Sequence, residues 1–82
     1  MKEKIETFKG KTVRHFKGNM YLIEEIAMHS ETNEWMVVYR ALYGACGCYV
    51  RPYEMFFEEV PKEKSNPTGQ KYRFEFFTIK SV

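Results

Sequence analysis

Residues 20–43 read MYLIEEIAM (20–28), HSETNE (29–34) and WMVVYRALY (35–43), two apolar runs flanking a short polar break. The break has the chemistry of a tight turn. Asn33 is, after glycine, the residue type that best tolerates the left-handed backbone region. Ser30 and Thr32 carry hydroxyls that can bond a turn's own backbone. The stretch therefore predicts a β-hairpin, with a type I turn closed by a G1-like bulge and Asn33 in the left-handed position.

The arms of this hairpin set the rest of the reading. In 35–43 one parity carries Trp35, Val37, Tyr39, Ala41 and Tyr43, and the other carries Met36, Val38, Arg40 and Leu42. Both faces are apolar, which marks a central strand or one whose second face waits for a partner. In 20–28 the alternation breaks at Glu24-Glu25. Tyr21 and Ile23 share one parity, whereas Ile26 and Met28 have the other. A β-bulge there would turn both pairs inward; the alternative is a simple strand with one end exposed.

Outward from the hairpin, Thr12–Phe16 alternates as a short half-buried strand, and Lys17-Gly18-Asn19 is a turn. Downstream, residues 44–47 turn the chain into a strand over Cys48–Arg51, which Pro52 ends because proline cannot donate to a ladder. Pro52–Phe57 reads as a helical turn with proline near its start. Residues 61–70 form a polar loop, and Lys71–Phe76 alternates charged and aromatic residues as a last edge strand. Residues 1–11 are a flexible lead-in with room for a turn of helix. Residues 12–82 make a single mostly-β domain, an SH3-like barrel of about five strands with one short helical turn; an OB-like barrel is the alternative.

Composition narrows the function classes. The 82 residues are 44% hydrophobic and 17% aromatic, enough for one small core without a separate substrate domain. Net charge is +2 and the pI about 8.5. Nucleic-acid domains tend to a pI above about 9 with a clustered basic stripe, whereas Lys and Arg here are interleaved with Glu. No apolar run approaches the roughly 18–20 residues that cross a bilayer, and the charged N-terminus lacks a signal peptide's apolar stretch. A cytoplasmic location is expected. Cys46 and Cys48 sit too close for an unstrained disulfide and should be reduced thiols.

Chemistry-bearing constellations are sparse. His15, His29, Cys46 and Cys48 are zinc-type ligands without a finger's spacing, so no metal or other cofactor is expected. A cysteine with His29 and Glu31 can be drawn as a nucleophile and base, but the cysteines and His29 fall at different turns. Glu24-Glu25 and Glu58-Glu59 are adjacent, and in a strand adjacent carboxylates point to opposite faces. The informative set is Tyr39, Tyr43, Tyr49 and Arg51. If their strands pair through the 44–47 turn, they line one groove suited to a peptide or to single-stranded nucleic acid. The competing structural account is that these tyrosines are staves of the barrel with hydroxyls at its rim.

Several motifs fall in one register: His15-Phe16-Lys17-Gly18; Tyr21; His29-Ser30-Glu31-Thr32-x-Glu34; Val37-Val38-Tyr39-x-Ala41-Leu42-Tyr43-Gly44; and Val50-Arg51-Pro52-x-x-Met55-Phe56. Together, over residues 13–60, they resemble an uncharacterised bacterial family, domain of unknown function 1653. The resemblance implies a small bacterial β domain without an established activity. The family pattern has tryptophan in place of Tyr49 and glycine in place of Asn33, substitutions that keep the aromatic face and the left-handed option. Cys46 and Cys48 lie outside that pattern.

The function expected from the sequence is a non-enzymatic binding or adaptor module using Tyr39, Tyr43, Tyr49 and Arg51, with His29 and Glu31 nearby. Its alternatives are a single-stranded nucleic-acid binder adding Arg14, Lys17 and Arg40, and a small-ligand or enzymatic site around His29, Glu31 and Arg51. The partners implied are an unidentified protein or peptide, single-stranded nucleic acid, or a second copy in a homodimer, and not a membrane.

Overall fold

A computed structural model describes residues 1–78. Its elements are α1 (Lys2–Phe8), β1 (Thr12–His15), β2 (Met20–Met28), β3 (Trp35–Ala41), β4 (Cys48–Pro52), α2 (Tyr53–Phe56) and β5 (Phe74–Phe76). The strands form one antiparallel sheet in the order β4-β3-β2-β1-β5. From β1 to β4 each connection joins neighbours, and β5 then returns to the outer side of β1. The class is mostly β, as the alternation predicts. The ladder is open, with β4 and β5 as its two edges. Its inner face is nevertheless curled: Phe74 of β5 lies 5.3 Å from Tyr39 of β3 and stacks on Phe56 of α2 at 4.0 Å.

The hairpin forms as its residues dictate. Asn33 has φ 60°, the left-handed region its short amide side chain tolerates. The turn closes with His29 N donating to Glu34 O at 2.8 Å and Asn33 N donating to His29 O at 2.9 Å. Thr32 Oγ1 accepts from Glu34 N at 3.3 Å. The bulge is present. Pairing runs Ile23 with Tyr39 and then Glu25 with Val38, so Glu24 has no partner opposite. That extra residue resets the parity, and Ile23 and Ile26 are both buried.

Buried Val13, Ile23, Ile26, Val37, Tyr39, Phe56 and Phe74 form the core. The second face of β3 is less covered than its apolar sequence predicts. Met36, Val38 and Arg40 are half-buried there, and Val50, opposite Val38, is 62% exposed.

Two regions carry more order than the sequence announces. The lead-in is helical over Lys2–Phe8, with Ile5 and Phe8 packed against the core and Phe8 4.9 Å from the Phe76 ring. The polar loop is organised by Gln70, which is 6% exposed. Its amide accepts from Arg14 Nε at 2.7 Å and donates to Arg14 O at 2.9 Å and Tyr72 O at 3.2 Å. Beside it, Arg73 pairs with Glu58 at 2.6 Å.

Candidate functional site

Antiparallel pairing decides which side chains can meet. Tyr39 stands opposite Tyr49, and Val37 opposite Arg51, so the Tyr49 and Arg51 side chains share the inner face with Tyr39. Tyr21 is opposite Ala41 on that same face. The rings form a chain: Tyr21 lies 5.4 Å from Tyr39 and 5.6 Å from Tyr43, and Tyr39 lies 5.8 Å from Tyr49. These are edge and tilted contacts of the kind aromatic quadrupoles favour.

Depth divides the tyrosines by role. Tyr39 is 6% exposed and packs on Phe56 and Phe74, so it is a stave of the core. Tyr43 and Tyr49 are 44% and 49% exposed and form the rim. Tyr21, which sequence reasoning left out of the site, joins them: its hydroxyl lies 2.7 Å from that of Tyr43. Burial, then the Tyr43 hydrogen bond, hold the Tyr21 phenol above its ordinary range, so it stays protonated. Tyr49 leans over the 44–47 turn. A Cβ on Gly47 would stand 2.7 Å from the Tyr49 hydroxyl, which is why glycine suits that position.

Arg51 is the unusual member. Its Nε is buried and, among the described residues, has no hydrogen-bond partner. A buried guanidinium N–H without an acceptor carries its full desolvation penalty, and such a group calls for an explanation.

Facing this cluster is His15, which sequence reasoning weighed only as a metal ligand. Its ring is stacked on Phe16 at 4.4 Å and lies edge-on to Phe74 at 4.9 Å. Burial, and then the positive charges of Arg73, Lys17 and Arg51, push its pKa down to about 4. The imidazole is therefore neutral at physiological pH. Nδ1 accepts from Lys17 N at 3.1 Å, which leaves the proton on Nε2.

The structure separates the rest of the predicted set. His29 and Glu31 sit at the hairpin beyond the Trp35 end of β3, whereas Tyr43 follows its other end. The eight residue steps from Trp35 to Tyr43 correspond to about 26 Å of extended chain. His29 also has a complete local account: its Nδ1 accepts from Glu31 N at 3.1 Å and Thr32 N at 3.3 Å, bracing the turn. Arg14 and Arg40 lie on the opposite face of the sheet from the tyrosines. There Arg14 is tied to Gln70, and Arg40 to Glu24 at 3.0 Å. Cys46 and Cys48 are free and exposed. No cluster of three or more metal-type ligands occurs among the described residues. No described helix is long and apolar enough to cross a membrane.

Fold and site together define a small antiparallel β domain whose inner face carries half-exposed tyrosines and an arginine with a buried, unpartnered Nε. The chain belongs to the family described as protein of unknown function (DUF1653), whose profile matches residues 11–76. It is similar to a crystal structure of a protein belonging to that family from Bordetella bronchiseptica, at 28% sequence identity and a TM-score of 0.71. The similarity covers 95% of this chain and 97% of the other. No curated protein matches.

Proposed function

We propose that the domain is a binding module that takes an extended peptide segment of a protein partner along its tyrosine rim, with Arg51 as the polar anchor. The observation that carries this reading is the buried, unpartnered Nε of Arg51 on the same inner face as the half-exposed ring of Tyr49. A peptide carbonyl or carboxylate supplies the acceptor that the guanidinium lacks. Tyrosine and arginine are also the residue types that dominate interface energetics, because they bring large area and directional donors together. The neutral His15, with its proton on Nε2, can add a donor without a further charge.

Single-stranded nucleic acid is the weaker reading. Stacking on the rim rings would suit it, but Arg14 and Arg40 lie on the other face and are already engaged. A catalytic site at His29, Glu31 and Arg51 is the weakest reading, because His29 Nδ1 is already engaged in bracing the turn.

The test is selection from a displayed library of linear peptides, followed by affinity measurements on synthetic versions of the selected peptides. Binding should weaken on Arg51→Met and on Tyr49→Ala, and survive Arg40→Met on the opposite face. If no peptide is enriched but an oligonucleotide binds at low salt and is lost on Tyr43→Ala, the peptide reading is wrong and the nucleic-acid reading replaces it.

A further inference from the structure

Charge is sorted between the two faces of the sheet. The carboxylates carried by the five strands are Glu24, Glu25 and Glu75. Glu24 bonds to Arg40 on the outer face. Glu25 pairs with Val38, on that same face, and bridges to Lys9 at 3.0 Å. Glu75 stands opposite Arg14, which also points outward. The inner face instead holds Arg51, opposite Val37, and His15, opposite Phe74. Both placements are fixed by the alternation of the strands, because Val37 and Phe74 are core residues.

Arg51 is thus a cation on the face without strand carboxylates. It is half-buried, its Nε is shut off from water, and it joins none of the ion pairs among the described residues. Glu54, three residues further on, is exposed and joins none either. Three cations act on His15: Arg73, Lys17 and Arg51. Arg73 is matched by Glu58 at 2.6 Å, whereas Lys17 and Arg51 have no counter-ion among the described residues.

A half-buried charge without a counter-ion carries part of its desolvation cost, and a partner that brings the counter-ion offsets it. A backbone carbonyl supplies an acceptor but no charge. A carboxylate supplies both, and its two oxygens match the guanidinium fork. A phosphate monoester brings roughly 1.5–2 negative charges and three acceptor oxygens, which suits a cluster of free arginines. Here Arg73 is engaged and Arg51 stands alone.

We infer that the peptide held on the tyrosine rim is anchored at Arg51 by a carboxylate, either its C-terminus or an Asp or Glu side chain. This rests on the peptide reading of the rim and adds to it the charge of the partner.

The probe is a bead array of synthetic dodecapeptides linked through their N-termini and made in matched sets. Each set holds a neutral member with an internal Asn and an amidated C-terminus. Its three counterparts carry Asp at that place, a free C-terminal carboxylate, or phosphoserine in place of the Asn. The Asp or the free-acid member should be retained about tenfold more strongly than the neutral one, the ratio one charge-assisted hydrogen bond supplies. A gain with Asp assigns the anchor to a side chain, and a gain with the free acid assigns it to the chain terminus. Arg51→Met should remove the gain and Arg51→Lys should restore part of it, with circular dichroism verifying that both variants fold. The wild-type ratio decides even where Arg51→Met does not fold. Equal retention of neutral and acidic members overturns the carboxylate anchor but leaves peptide binding standing. Preference for phosphoserine overturns it as well, and so does an acidic gain that persists in Arg51→Met. Retention of no member removes the peptide reading and this inference with it.

Discussion

Two histidines illustrate how one residue type takes opposite roles within 82 residues. His29 is half-buried and acts through a lone pair: its Nδ1 gathers two turn N–H groups. His29→Ala should cost about 0.5–1.5 kcal/mol in urea unfolding, the range for a net intramolecular hydrogen bond. His29→Asp, which restores an acceptor at that place, should recover most of it. Rim binding should be unaffected by either change. His15 acts through desolvation. Its pKa falls from 6.5 to about 4 on folding, so between those values the unfolded chain binds a proton that the native chain refuses. Stability is then complete above about pH 6.5 and declines as pH falls toward 4, by about 1–2 kcal/mol once solvent screening of a half-exposed ring is allowed for. His15→Gln should flatten the change in Tm between pH 6.5 and pH 5. A variant with the wild-type slope in that window would show that other groups set it.

At the scale of elements, Glu24 shows what a sequence can and cannot disclose. Its parity break was legible because Ile23 and Ile26 cannot both face inward on a regular strand, and the structure resolves the conflict with one unpaired residue. Deleting Glu24 removes the reset. Ile26 would turn outward, or the β2–β3 register would slip, and either outcome forfeits a buried isoleucine; Met28, at 44% exposure, lies beyond the part of the strand that the reset buries. The loss should be about 2–5 kcal/mol, read as a lower urea midpoint, whereas Glu24→Ala should cost well under 1 kcal/mol. The hairpin turn, the Pro52 helical turn and the four-strand meander were legible for the same reason: each is written in local spacing. The inner site was legible only in part. Tyr39, Tyr43, Tyr49 and Arg51 follow from two strands joined by one turn. Tyr21 and His15 enter from β2 and β1, and no spacing rule encodes where those strands carry them across a curled sheet. The Gln70 network was missed for a related reason. A glutamine in a Lys/Asn/Pro-rich stretch looks like solvent-facing loop, and only its three bonds to Arg14 and Tyr72 reveal it as a clamp.

At the scale of the whole molecule the question is how an open sheet keeps its inner face dry. The hydrogen-bonded ladder stops at β4 and β5, so closure falls to side chains from α2. Phe56 is fully buried and lies parallel to Phe74 at 4.0 Å, and it also meets Tyr39 at 5.1 Å and Phe57 at 4.8 Å. That one ring joins the edge strand β5 to the central strand β3. Phe56→Ala should therefore cost about 3–5 kcal/mol, a large share of the roughly 5–15 kcal/mol that holds a small domain together. The loss should also be uneven. β2 and β3 are held by a nine-residue and a seven-residue strand in register, whereas β5 has three residues and one neighbour, β1. Amide hydrogen exchange in Phe56→Leu, which keeps a core-sized side chain and a folded protein, should accelerate most at Phe74–Phe76 and least at the β2–β3 pairing. Uniform acceleration along all five strands would mean that backbone pairing, and not the Phe56–Phe74 stack, sets the closure. Selective release of β5 would place the weak seam of the domain between its two edges, where Tyr39, Phe56 and Phe74 meet.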